Sequence, residues 1–162
     1  MPVKTGDSLL NLAKQLRDTD GMLSKIVDAS VEVMKAKLEH EFATGTGPDG
    51  EAWAAPKAGR NDPLVKDGDL RQSFIDGVYK GGKGGFYNAP ENWYFGVKSD
   101  IPYAAIQHYG GTLPNGGVIP PHQIVPYEWP GGWGPALKEA CAEALKEWFS
   151  ERGYRKGRGF TR

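Results

Sequence analysis

Sustained helical periodicity stops at Gly45 and resumes only at Pro135. Between those points stand most of the chain's 23 glycines and 12 prolines. Glycine and proline punctuate a chain into turns and loops, so this middle cannot be threaded through a helical bundle. The expectation is an α+β domain. A small, mostly antiparallel sheet would pack against a long N-terminal helix and a C-terminal helix.

The two helical ends are legible residue by residue. Leu23, Ile26, Val27, Val31, Met34, Leu38 and Phe42 recur at steps of three and four. That spacing predicts a helix from Met22 to Phe42 with one apolar stripe. A shorter helix is expected around Leu9, Leu12, Ala13 and Leu16, with Asp7 or Ser8 as N-cap. At the other end, Leu137, Cys141, Ala144, Leu145 and Trp148 share a face behind Pro135, a residue suited to a first turn. Gly153 is the expected stop.

The middle reads as short pieces. Trp93 to Lys98 is the best strand, rich in aromatic and β-branched side chains. Val78 to Lys80 and Tyr87 to Ala89 are further strand candidates. Asp67 to Asp76 is expected as a short helix capped by Asp67 or Asp69, and Tyr103 to Tyr109 as another after Pro102. Gly116 to Trp133 reads as a loop, with a strand expected at Gln123 to Val125.

A chain of 162 residues suits one domain, expected over residues 1–153, followed by a basic, flexible arm over 154–162. Lys plus Arg and Asp plus Glu number 20 each, so no net charge drives binding to nucleic acid or membranes. A single cysteine, Cys141, leaves no internal disulfide and no cysteine-based zinc site. No apolar run reaches a membrane-spanning length, and the first residues lack a signal-peptide core. A cytoplasmic place of synthesis is expected.

Catalytic patterns fail on their chemistry. Gly6-Asp7-Ser8-Leu9 spells a serine-esterase signature. No strand can precede it, and no Asp-x-x-His follows to supply the base. Gly77 to Lys83 nearly spells a phosphate-binding loop, but Gly84 stands where Ser or Thr must hold magnesium. His40, His108 and His122 are not spaced for one metal-binding helix face. Asp67 and Asp69 fit capping better than acid–base work. The expectation is a protein that is not an enzyme, with no catalytic residues, no metal and no cofactor.

Binding features are more informative. Trp129-Pro130-Gly131-Gly132-Trp133 places two tryptophans on a glycine-rich loop. They either fold back onto the core or pack on a neighbouring subunit. Arg152, Arg155, Lys156, Arg158 and Arg162 crowd the last twelve residues with Glu151 as the lone acid. The arm either solubilises the chain or contacts DNA or an acidic partner, with Tyr154 and Phe160 available for stacking.

Three patterns follow one another in the middle: Pro48-Asp49-Gly50-Glu51-Ala52-Trp53, then Pro63 to Phe74, then Tyr103-Ala104-Ala105-Ile106-Gln107-His108-Tyr109-Gly110-Gly111. In order and spacing the chain resembles the phage virion morphogenesis, or tail-completion, family. Asp49, Gly50 and Trp53 match the first element of that family. Leu64, Gly68, Leu70 and Ser73 match the second, and Tyr103, Ala104, Ile106 and Gly110 the third. Gln107 holds a place where the family often has His, with His108 one step later. Ile119 to Pro126 replaces the family's Pro-x-Arg-x-Phe segment.

The resemblance implies a structural protein of the head–tail interface, a neck, tail-completion or tail-terminator protein. It would assemble as a homo-oligomeric ring, six copies being the expected number, that joins the tail to the connector. Its partners would be the connector or portal adaptor and the tail tube, with DNA passing through the ring and no membrane. Its place would be the virion, after assembly in the host cytoplasm. Tyr103, His108, Tyr109, Trp129 and Trp133 are the candidate contacts with a subunit or partner. The alternative is a nucleic-acid-binding protein that uses the basic arm and the aromatic loop.

Overall fold

A computed structural model describes residues 19–54, 68–81 and 93–152. The fold is α+β. Helix α1 spans Thr19–Thr44 and helix α4 spans Gly134–Glu151. Between them come α2 (Asp69–Asp76), strand β1 (Val78–Gly81), strand β2 (Tyr94–Val97) and α3 (Ala104–Tyr109). A two-residue hairpin, β3 (Gly111–Thr112) and β4 (Val118–Ile119), follows α3. One 3₁₀ turn, Gly131–Trp133, leads into α4. The expected helix around Leu9 to Leu16, the strand at Tyr87 to Ala89 and the whole of 154–162 lie outside the described residues.

The stripe read from the sequence is the face α1 buries: Val27, Val31, Met34, Leu38 and Phe42, together with Ser30 and Glu41. Helix α4 covers that face with Leu137, Ala144 and Trp148. The two helices run antiparallel, because they are tied at opposite ends. Lys25 near the start of α1 bonds Glu151 at the end of α4, 2.6 Å apart. Glu41 near the end of α1 meets Trp133 just before α4. Halfway along, Ser30 Oγ lies 3.7 Å from Cys141 Sγ.

The sheet is two separate antiparallel pairs. In the larger, Tyr79 pairs with Gly96 and Gly81 with Tyr94. Each tyrosine ring therefore lies over a glycine of the other strand, where a Cβ would collide with it. This pair rests on α1, while the loops from Ala52 to Trp53 and from His122 to Val125 close the core from the other side. Leu70, Phe74, Val78, Ala104, Ile124, Trp133 and Leu137 join Met34, Leu38, Phe42 and Trp53 in one apolar cluster. The motif residues Trp53, Leu70 and Phe74 thus serve the core; Leu64 lies outside the described residues.

Two expectations are corrected. Helix α2 has no side-chain cap: its N-cap position is Gly68, in the left-handed region at φ 78°, and Asp69 already lies in the first turn. That backbone shape favours glycine, which has no side chain to cap with; Asp67 lies outside the described residues. Residues 123–125 form no strand, because their backbone groups are spent on side chains. The Ile124 N–H donates to His108 and the Gln123 carbonyl accepts from Trp53.

Candidate functional site

Helix α3 is six residues long, and its last turn carries the site. His108 faces inward and Tyr109 outward. The backbone N–H of Ile124 donates to His108 Nδ1 at 3.0 Å. Nδ1 is then the acceptor nitrogen and Nε2 carries the proton. Burial pushes the His108 pKa below its ordinary value, so the ring stays neutral at physiological pH.

Aromatic rings are built outward from this histidine. Tyr109 meets the imidazole edge-on, with centroids 4.4 Å apart, and Tyr127 lies 5.0 Å away. Tyr109 and Tyr127 stack on each other at 5.9 Å and 19°. The Tyr127 hydroxyl donates to the His108 carbonyl at 3.1 Å, which locks the loop after Pro126 to α3. Yet both phenols keep much of their surface in water: Tyr109 is 68% exposed and Tyr127 54%. Tyr103, at the start of α3, is also exposed.

The tryptophan loop begins two residues after Tyr127. Trp129 is 52% exposed and touches Phe95 on β2 and Trp133, each at 5.9 Å between centroids. Trp133 goes the other way and is fully buried. The two tryptophans divide: Trp133 folds back onto the core, while Trp129 keeps about half of its surface exposed. His108 and Trp133, expected as contact residues, lie beneath the surface because each makes a hydrogen bond inside the fold.

The bond made by Trp133 is unusual. Its indole N–H donates to Glu41 Oε1 at 2.5 Å. Glu41 is only 3% exposed, and its second oxygen, Oε2, has no hydrogen-bond partner. Burial disfavours the charged form and pushes the carboxyl up to about 7, while the Trp133 bond and Lys37 pull it back part of the way. A cleft of about 400 Å³ opens beside the same loop, lined by Asp49, Gln123, Pro126, Tyr127, Glu128 and Gly131.

The basic cluster is less complete. Arg152 stacks its guanidinium over the Trp148 ring, 4.1 Å from the centroid, at the end of α4. Arg155, Lys156, Arg158 and Arg162 lie outside the described residues. The flank shared by α1 and α4 carries Asp28, Glu32, Glu143 and Glu147 around an apolar hollow of about 630 Å³, with Lys25 also lining it; Lys80 pairs with Asp28 and Lys146 with Glu143. Its charges are mixed in sign and form no continuous basic stripe of the kind that tracks a phosphate backbone.

Among the described residues no group of three or more His, Cys, Asp or Glu is placed to hold a metal ion. No helix there is long and apolar enough to cross a membrane. What the site offers is contact chemistry: exposed aromatic side chains on a frame braced by the Tyr127–His108 hydrogen bond. Sequence reading missed Glu41 and Tyr127. Glu41 had a signal, since it stands three residues after Leu38 on the buried stripe. Tyr127 had none beyond its residue type. No family model, no curated protein and no solved structure matches the chain.

Proposed function

We propose that this chain is a structural subunit of a phage virion, acting where head meets tail. Copies assemble into a ring that joins the tail to the connector or terminates the tail tube. The observation that carries the reading is the exposed aromatic surface of Tyr109, Tyr127 and Trp129, with Tyr103 also exposed at the start of the same helix. Large aromatic side chains left in water are costly, and they are enriched where proteins meet. A ring needs a heterologous contact, one patch of each copy meeting a different patch of the next.

The resemblance supplies the virion setting. Its motif residues divide in the manner a ring subunit requires: Trp53, Leu70 and Phe74 hold the core, while Tyr103 and Tyr109 face out. In this reading the protein performs no catalysis and takes no cofactor. Its partners are further copies of itself, the connector and the tail tube, and DNA passes through the opening. It is made in the host cytoplasm and ends in the neck or tail of the particle. The nucleic-acid alternative gains no support from the described residues, where Arg152 stacks on Trp148 and the long flank mixes acids with lysines.

Electron microscopy of purified particles, with mass spectrometry to establish that they contain this chain, tests the proposal. Ring density at the neck or tail end, fitted by copies of this fold, is the expected result. Particles that lack the chain overturn it.

A further inference from the structure

The buried carboxyl of Glu41 is not explained by packing. A glutamine of similar size would fill the same space and still accept from Trp133 without placing an ionisable group in the core. It stands at a junction. Glu41 holds Trp133, Trp133 packs on Trp129, and Trp129 is part of the exposed aromatic surface. We propose that Glu41 and Trp133 form a proton-operated latch that sets the position of Trp129 and so regulates subunit contact.

The charged groups around the carboxyl define its sense. Lys37, one turn back on α1, favours the ionised form; Asp49, on the loop after α1, disfavours it; Trp133, from the 3₁₀ turn, offers a single N–H. While the carboxyl is neutral, its carbonyl oxygen accepts from Trp133 and the core stays dry. Once it ionises, Oε2 becomes a buried charge with no donor. The fold relieves that cost by letting water in, which means moving Trp133 and with it Trp129. The contact-ready arrangement is therefore the protonated one.

This inference rests on the reading of the aromatic surface as the subunit contact, so its test needs a readout independent of assembly. The full chain labelled with 5-fluorotryptophan gives one ¹⁹F resonance for each indole, assigned with single Trp→Phe variants. The Trp133 and Trp129 resonances are expected to shift together as pH rises through about 7. In Glu41→Gln that shift is expected to vanish, while any shift due to His108 at lower pH remains. Ring incorporation in particles assembled at different pH is the second readout. It should weaken about tenfold above the midpoint in the natural chain and stay level in Glu41→Gln.

A Trp133 resonance that does not titrate, or titrates equally in Glu41→Gln, overturns the latch even if rings form. A latch that titrates as expected in a chain absent from particles leaves the latch standing and removes the ring. Titration of Trp133 without any response at Trp129 also overturns the proposal, because the coupling is its content.

Discussion

Trp53 reaches across the chain to Gln123: its indole N–H donates to the Gln123 carbonyl at 3.0 Å. The same ring meets Phe42 edge-on at 5.3 Å and His122 at 6.4 Å. One side chain thus joins α1, the loop after it and the long loop before α4. Trp53→Phe keeps the ring contacts but strands the carbonyl, and should cost about 1–2 kcal/mol. Trp53→Ala also opens a cavity and should cost about 3–5 kcal/mol. Urea unfolding of the three proteins checks both values; equal stability would mean the loop is held by something else.

Glu41 makes stability depend on pH in an unusual direction. Its folded-state pKa, about 7, lies above its unfolded value of 4.5, so the folded chain holds the proton more tightly. The resulting stabilisation is complete below pH 4.5 and is lost as pH rises through 7, about 3 kcal/mol in all. Unfolding free energies across that window should fall for the natural chain and stay nearly level for Glu41→Gln.

His108 acts in the opposite sense. Its pKa is lowered by burial, so its contribution is full above pH 6.5 and declines as pH falls below that value. Protonation also converts Nδ1 from acceptor to donor and breaks the bond from Ile124. His108→Leu leaves the Ile124 N–H buried and unpaired, and should cost about 1–3 kcal/mol at neutral pH. Following the imidazole by NMR during an acid titration should place its midpoint below 6.5.

Two glycines make a contrasting pair. A Cβ at Gly77 would lie 1.8 Å from the Lys98 carbonyl oxygen, where β2 leaves the sheet. At Gly50 the space is open and only φ +83° opposes a side chain. Gly77→Ala should therefore cost about 3 kcal/mol or prevent folding, and Gly50→Ala about 1 kcal/mol. Thermal denaturation of both variants tests the ranking.

Tyr103 and Tyr109 separate contact from folding. Both are exposed, so Tyr103→Ser with Tyr109→Ser should change stability by no more than about 1 kcal/mol. Incorporation into particles should drop about tenfold. Normal incorporation by the double variant would remove this face from the subunit contact.

The parts of the fold that were legible in the sequence share one property: a period repeated often enough to fix a face. Val27 to Phe42 on α1 and Leu137 to Trp148 on α4 are of this kind, and Tyr94 to Val97 announced itself by composition. The hairpin of Gly111–Thr112 with Val118–Ile119 was not legible, since two residues cannot show a period. Gln123 to Val125 misled because its alternation serves long-range hydrogen bonds instead of a ladder. For the site, residue type pointed to Tyr109 and Trp129 but could not separate Trp129 from Trp133. That separation depends on where Glu41 sits, a partner ninety-two positions away.

The antiparallel closure of α1 by α4 also sets a schedule. On the ribosome α1 emerges first, and about ninety residues must follow before α4 begins. At ordinary translation speeds Met34 and Leu38 wait roughly five to twenty seconds for Trp133 and Leu137. A nascent chain stopped short of residue 134 is a sticky half-product, its apolar stripe on α1 still uncovered.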